Sequence, residues 1–184
     1  FDKTGTLTVG KPKVTKIKAF HGEEEELLRL TAIAEGYSEH PLARAILEEA
    51  DKKFESLPSP EDSEIIAGHG LKAKAEGRII LVGNRKLMLD NNINISVEIE
   101  KYISQEESLG QTVVITADEN KVLGVISIAD DIREGAIELI KKLKAQGIKK
   151  IVMLTGDNKR AAAAISNKLG LDSYYAELLP EGKV

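Results

Sequence analysis

The sequence predicts an α/β protein. A parallel-sheet domain is interrupted near residue 12 by a second, antiparallel α+β domain. Three observations predict this. After Asp130 the chain reads strand, loop, helix: the near-continuous apolar "IKKIVML", then "TGDN", then "KRAAAAISNKL" stopped by Gly170. Before Asp130, short runs separated by the turn signals "AEGR" and "ADEN" read as antiparallel hairpins. The opening "FD" is a strand end with no partner in its own neighbourhood. It fits beside "IVML", with both loops carried to one sheet edge.

Each element follows in order. The first dozen residues are a strand end running into a loop. From Glu23 to Glu35, Leu27, Leu28, Leu30, Ala32 and Ile33 suit an amphipathic helix, and "EEEE" at its start favours the helix dipole. Pro41 opens a second helix whose buried stripe is Leu42, Ala45, Ile46, Ala50 and Phe54. "SLPSPEDSE" (56–64) is a loop. Leu71, Ala73 and Ala75 alternate with Lys72 and Lys74 in one strand, and "RIILV" up to Gly83 is its hairpin partner. "TVVIT" and "KVLGVISIA" form a second pair. A helix is expected from about Arg133 to Ala145, with Ile137, Ile140 and Leu143 on one face and Gly147 beyond its end. The domains are therefore 1–12 with 129–184, and 13–128.

A length of 184 residues allows one or two domains. The composition is 42% apolar and 30% charged but only 4% aromatic with no Trp, so Ile, Leu, Val and Ala must build the core. A formal net charge of -4 argues against a nucleic-acid binder. The absence of Cys excludes disulfides, thiol catalysis and thiolate metal sites. No run approaches the roughly 20 apolar residues of a membrane span, and no targeting pattern is present. A start on Phe1 and a stop on "PEGKV" lead us to expect a piece of a larger protein.

Two phosphate chemistries compete at the N-terminus. Gly5, Gly10 and Lys11 satisfy most of the phosphate-loop pattern G-x-x-x-x-G-K-[ST]. Position 12, however, is Pro, which supplies neither a hydroxyl for Mg²⁺ nor an N–H for phosphate. The alternative is Asp2-Lys3-Thr4-Gly5-Thr6. A carboxylate at the C-terminal end of a parallel strand sits where α/β folds bind ligands, and Asp can attack phosphorus to form an aspartyl phosphate. Thr-Gly-Thr can wrap N–H groups around a phosphoryl group. A lone Asp at such a place is more often a turn cap. Here "LTGDN" adds a hydroxyl, a glycine N–H and a carboxylate, and "LLPEGK" adds the cation of Lys183.

In this order and spacing, "DKTGTLT", "SEHPLA", "GHG", "VGN", "TGDN" and "PEGK" resemble the heavy-metal-transporting P-type ATPases, within the haloacid dehalogenase superfamily. The resemblance covers essentially the whole chain. It implies a haloacid-dehalogenase-like phosphorylation domain (1–12 with 129–184, incomplete at its C-terminus) and an inserted nucleotide-binding domain (13–128). Asp2, beside Lys3, is expected to be phosphorylated by ATP. The Asp2 carboxylate and the Thr4 carbonyl are expected to hold Mg²⁺. Thr155 and Gly156 would contact the phosphoryl group, with Asp157 nearby and Lys183 stabilising its charge. Glu39 and His40 would meet adenine, and Gly68, Gly70, Leu71, Gly83 and Asn84 would line the nucleotide pocket.

On residues alone these last positions have plainer readings: His40 as a helix cap, Gly68-His69-Gly70 as a bend with Ala at position 73 where a Rossmann fingerprint needs Gly, and Asn84 as an N-cap. His21 and His69 are given no role. The family's next Mg²⁺ carboxylate, in "GDGxNDxP", is expected beyond Lys183.

Phosphatases of the superfamily carry a second Asp two residues after the nucleophile. Here that position is Thr4, which favours a long-lived phosphoenzyme over rapid hydrolysis. The expected function is the ATP-binding and phosphorylation region of a pump, on the cytoplasmic face of a membrane. Its partners would be ATP or ADP, the remainder of the same polypeptide, and a cation handled by membrane segments outside this stretch, copper first. The rival readings are a soluble phosphatase with a large cap domain and a non-catalytic nucleotide-binding module.

Overall fold

The computed structural model describes residues 1–178. They form two compact units. One contains Phe1–Pro12, Ser104–Thr112 and the chain from Ala129 onward; the other contains Lys13–Ile103 and Val113–Ile128. Ser104–Thr112 lies inside the stretch expected to belong to the inserted domain, yet it clusters with the first unit.

The larger unit is a six-stranded sheet in the order β1 (Lys13–Ala19), β6 (Val122–Ala129), β5 (Thr112–Ala117), β4 (Arg78–Gly83), β3 (Gly70–Ala75), β2 (Asp62–Ile66). From β2 through β5 the pairing is antiparallel. The β3–β4 register places Gly70 opposite Gly83 and Ala75 opposite Arg78, as the "AEGR" turn predicts. Helices α1 (Glu24–Ala34) and α2 (Pro41–Asp51) cover one face, burying Leu28, Ile33 and Ile46 against Ala73, Ile80 and Val82. Helices α3 (Arg85–Asp90) and α4 (Val97–Ser108) supply Leu87, Met88, Ile99 and Ile103 to a second core that takes Leu81, Ile115 and Val125 from the other face. Burial on both faces explains why β4, β5 and β6 are apolar at nearly every position, whereas β3 exposes Lys72 and Lys74.

Within this unit, two strands were not legible in the sequence. Strand β1 carries its apolar residues at 14, 17 and 19, without strict alternation, and β2 begins inside the stretch expected to be loop.

In the smaller unit, β7 (Val152–Leu154) pairs in parallel with β8 (Ser173–Tyr175). Asp2 forms an isolated parallel bridge with Leu154 on the other side of β7. Helices α5 (Ala136–Ala145) and α6 (Lys159–Leu169) pack Ala136, Ile140, Ala162 and Leu169 around Leu7, Ile151 and Met153. Helix α5 starts three residues later than expected. Ile132 instead bridges Thr8, the Arg133 N–H donates to the Leu7 carbonyl at 2.9 Å, and Gly135 at φ 79° breaks the helical run. Helix α6 has an Asn158 side-chain cap on the Ala161 N–H at 3.0 Å and ends on left-handed Gly170. Among the described residues, no helix is long and apolar enough to cross a membrane.

Candidate active site

The Asp2–Leu154 bridge sets the geometry of the smaller unit. It places the end of the "FD" strand beside the end of β7, so the loops that follow, Lys3–Leu7 and Thr155–Asn158, leave the same sheet edge. An ion pair between Lys3 Nζ and the Asp157 carboxylate ties the two loops together, with both side chains largely buried. Lys3 is thus committed to Asp157, and its part is to hold the second motif rather than to meet a ligand alone. Asp157 also accepts from Thr155 Oγ1 at 3.0 Å and from Thr112 Oγ1 at 3.2 Å, while its own N–H donates back to Thr155 Oγ1 at 3.1 Å. The Thr155 residue is 1% exposed. Its hydroxyl therefore shapes the loop, and Gly156 keeps backbone close to the Leu178 carbonyl.

The Lys3–Leu7 loop is closed by Thr8 N–H donating to the Lys3 carbonyl at 3.0 Å. Inside it, Thr4 is extended (ψ 123°) and Gly5 is left-handed (φ 77°), a conformation that costs Gly little and other residues more. Thr4 and Gly5 are exposed and Asp2 is half-buried, so the carboxylate lies at an accessible turn. The phosphate-loop decoy fails structurally as well. The Gly10 and Lys11 N–H groups donate to the Asp130 carboxylate at 3.0 and 3.1 Å, so an internal anion occupies the amides a phosphate would need.

In the larger unit, two groups of expected residues emerge. Gly68, Gly70, Gly83 and Asn84 come together where the β2–β3 turn meets the start of α3. Asn84 N–H donates to the His69 carbonyl at 2.9 Å and its side-chain amide to the Gly68 carbonyl at 3.0 Å, while its Oδ1 caps Leu87 N–H at 3.1 Å. A Cβ on Gly70 would fall onto the Val82 carbonyl, and one on Gly83 onto the His69 carbonyl. These glycines are there because two backbones touch. Leu71 differs from its neighbours: it is 3% exposed, lies between Ile65 and Val82 in the sheet, and packs its side chain in the core, so it does not line an open pocket.

The other group is the loop from α1 to α2. His40 is the N-cap of α2, and its Nδ1 accepts from Leu42 N–H at 3.2 Å. That assigns the proton to Nε2, and although His40 is exposed by surface area, desolvation by neighbouring atoms holds the ring's pKa below its ordinary value and favours the neutral form. A neutral imidazole with an outward N–H donor and a flat face suits a purine. Glu39 is exposed. Among the described residues, no hydrogen bond joins this loop to the glycine group. Sequence reasoning passed over Glu35, which caps the end of α1 and is buried. Burial pushes its carboxyl up to about 7, against a hydrogen bond from Ser38 that favours the ion. The only signal for it was an acid closing an apolar helix. Lys183 lies outside the described residues.

No group of three or more His, Cys, Asp or Glu that could hold a metal occurs among the described residues. A hard divalent cation that keeps its waters and takes one carboxylate, one carbonyl and substrate phosphates still fits Asp2 and the exposed Thr4 backbone.

A carboxylate on a parallel strand end, facing a Thr-Gly-Asp loop across the sheet edge, has the chemistry that phosphoryl transfer can use. Comparison with known families agrees: residues 1–184 match the haloacid dehalogenase-like hydrolases. The chain belongs to that family. Within it, the chain is 47% identical over 183 residues to a probable copper-exporting P-type ATPase of Archaeoglobus fulgidus, covering 100% of this chain and 22% of that protein. Among solved structures, a zinc-transporting PIB-type ATPase in its E2.Pi state is 42% identical with a TM-score of 0.69, covering 100% of this chain and 29% of that one. The catalytic domain of the CPx-ATPase CopB-B is 27% identical with a TM-score of 0.72, covering 100% and 62%. This family member therefore spans about a fifth to three-tenths of the full-length transporters it resembles.

Proposed function

We propose that this chain is the ATP-binding and phosphorylation region of a heavy-metal-exporting P-type ATPase, with copper the first cation to test. The observation that carries the reading is the parallel Asp2–Leu154 bridge reinforced by the Lys3–Asp157 ion pair, which brings "DKTGT" and "TGDN" to one edge. The smaller unit is the phosphorylation domain and the larger binds nucleotide. An Asp2 carboxylate oxygen attacks the γ-phosphorus of ATP in line, the bond from phosphorus to the β–γ bridging oxygen breaks, and ADP leaves with that oxygen. Later attack by water on the aspartyl phosphate releases inorganic phosphate and restores the carboxylate.

The Thr155–Gly156 backbone contacts the phosphoryl group as Asp2 receives it, Asp157 anchors Lys3, and Lys183 offsets the developing charge. Mg²⁺ held by Asp2 and the Thr4 carbonyl supplies charge neutralisation at the phosphates. With Thr rather than Asp two residues after Asp2, no carboxylate at that position activates water, which weighs against a phosphatase and suits an intermediate that persists through a conformational cycle. Adenine binds beside His40 and Glu39, and Gly68, Gly70, Gly83 and Asn84 admit the rest of the nucleotide. Cation transport resides in membrane segments of the complete protein, which places this region on the cytoplasmic side.

The test is transfer of label from γ-labelled ATP to the complete protein. An acid-stable, hydroxylamine-sensitive phosphoprotein that disappears in Asp2→Asn is expected. Undiminished labelling of that variant overturns the proposal.

A further inference from the structure

The loop that carries Asp2 is gripped from one side by β7, and the grip on its other side comes from Asp130 and Arg133, residues to which no chemistry has been assigned. All belong to the same compact unit. Asp130 Oδ2 accepts from Thr8 Oγ1 at 2.6 Å and from Gly10 N–H at 3.1 Å, and its Oδ1 accepts from Gly10 N–H at 3.0 Å and Lys11 N–H at 3.1 Å. Thr8 is fully buried at 0% exposure. The Thr8 hydroxyl reaches two acceptors, Asp130 Oδ2 at 2.6 Å and the Lys3 carbonyl at 3.1 Å; its one proton favours the shorter contact to the charged carboxylate, and its oxygen accepts from Gly5 N–H at 3.4 Å. This chain of contacts runs from Asp130 through Thr8 to the turn of the loop. Arg133 closes the other set of groups. Its guanidinium donates to the carbonyls of Gly5 (2.9 Å), Thr6 (3.2 Å) and Thr8 (3.4 Å), and its backbone N–H to Leu7 (2.9 Å). Gly10, left-handed at φ 80°, closes the loop on itself: a Cβ there would sit 3.1 Å from Gly5 Cα.

We propose that Asp130 and Arg133 are positioning residues for phosphoryl transfer: Asp130, through Thr8, fixes the exit of the Asp2 loop, and Arg133 engages its carbonyls so that the exposed turn presents a fixed backbone to the phosphoryl group. The inference rests on the reading of Asp2 as the phosphoryl acceptor. The physical case is one of geometry. The loop holds non-helical Thr4 and left-handed Gly5 between residues of otherwise ordinary backbone, and its short contacts alone do not specify that shape. A planar fork that reaches three carbonyls and a carboxylate that collects three donors do specify it. Neither side chain needs to touch a nucleotide to act, so their loss slows the chemical step and leaves nucleotide affinity alone. Misplacing a reacting group by about 1 Å costs on the order of 10²-fold in rate.

The experiment uses the complete protein and single-turnover labelling from γ-labelled ATP, with nucleotide affinity measured in parallel. Asp130→Asn turns an amide N–H₂ toward donors that need an acceptor, and Thr8→Val removes the relay. Each is expected to slow phosphorylation by about 10²-fold with the ATP Kd unchanged within about twofold. Thr8→Ser, which keeps the hydroxyl, recovers most of the rate, and Asp130→Asn with Thr8→Val together is no slower than the slower single variant. Arg133→Met slows the step likewise, with Arg133→Lys only partly restored because an ammonium cannot fork.

Phosphorylation of Asp130→Asn at the parent rate overturns the inference, as does Thr8→Ser being as slow as Thr8→Val. Equal losses of rate and nucleotide affinity in both Thr8 variants overturn it too. Should Asp130→Asn fail to fold, the Thr8→Val and Thr8→Ser pair decides alone. Asp2→Asn run alongside separates the two levels: label retained by that variant defeats the function proposed above, whereas label lost there with Asp130→Asn unaffected defeats only the positioning role.

Discussion

Glu35 makes stability depend on pH in a way that can be worked out from its surroundings. It ends α1 with its N–H donating to the Thr31 carbonyl at 3.0 Å, and the residue is only 8% exposed. Desolvation raises its pKa from 4.5 to about 7, with only the Ser38 hydrogen bond opposing. A carboxyl that prefers its proton in the folded state leaves the fold unpenalised below about pH 4.5. As pH rises the unfolded chain ionises freely while the folded one resists, so stability falls until about pH 7 and then levels off. A shift of this size at 1.36 kcal/mol per unit amounts to about 3 kcal/mol lost at pH 8.

Glu35→Gln, neutral at every pH, is expected to be more stable than the parent by about that amount at pH 8 and by under about 1 kcal/mol at pH 5. Urea unfolding followed by circular dichroism at the two pH values gives the comparison, and subtracting the variant's profile removes the contribution of the three histidines. Carbon-13 detection of the Glu35 carboxyl locates its titration directly. Parallel stability profiles for parent and variant between pH 5 and 8, or a carboxyl titrating near 4.5, would refute the reasoning.

Gly70→Ala should cost about 3 kcal/mol, because its φ of 136° is closed to other residues and its Cβ would strike the Val82 carbonyl; thermal unfolding reads it, and a loss within experimental error sinks the close-approach account. Lys3→Met strands the largely buried Asp157 without its cation, and a loss of about 3 kcal/mol is expected by denaturant titration, with Lys3→Met and Asp157→Asn combined losing less than the sum of the two. His40→Ala removes the α2 cap, worth about 1 kcal/mol, and the ring proposed to face adenine. ATP affinity by titration calorimetry is expected to fall, and unchanged affinity removes His40 from the nucleotide site.

How much could be read in advance differed between the two units for a physical reason. Helices α1 and α2 were visible because their apolar stripes repeat at helical spacing and Pro41 marks a start. Strands β3 and β4 were visible because "AEGR" is a turn and alternation survives where one face is wet. Strand β1 escaped because it lies at a sheet edge and buries only part of itself, and β8 because three residues carry no periodicity. The start of α5 was misjudged because Arg133 is engaged by Leu7, more than a hundred residues away. The candidate site divided in the same manner. Asp2, Lys3, Thr155 and Asp157 were found as motif residues, but that Lys3 serves Asp157 was not legible, nor that Leu71 turns into the core. Glu35, Asp130 and Arg133 were missed, since a carboxylate in a helix end or a connection looks like any solvated charge until its burial or its partners are known.

By itself, then, the sequence determined the chemical inventory: an acidic residue followed by Lys-Thr-Gly-Thr, a Thr-Gly-Asp-Asn element, glycines where backbones must touch, and the periodicities that divide parallel from antiparallel structure. Those are local properties, set by side-chain chemistry and by the conformations each residue tolerates. Only the tertiary structure decided that Lys3 pairs with Asp157, that Asp130 fills the amides of Gly10 and Lys11, and that Glu35 loses its water. Such facts depend on which distant groups arrive within hydrogen-bonding range and which are excluded from solvent, and both are consequences of packing that spacing along a chain does not contain.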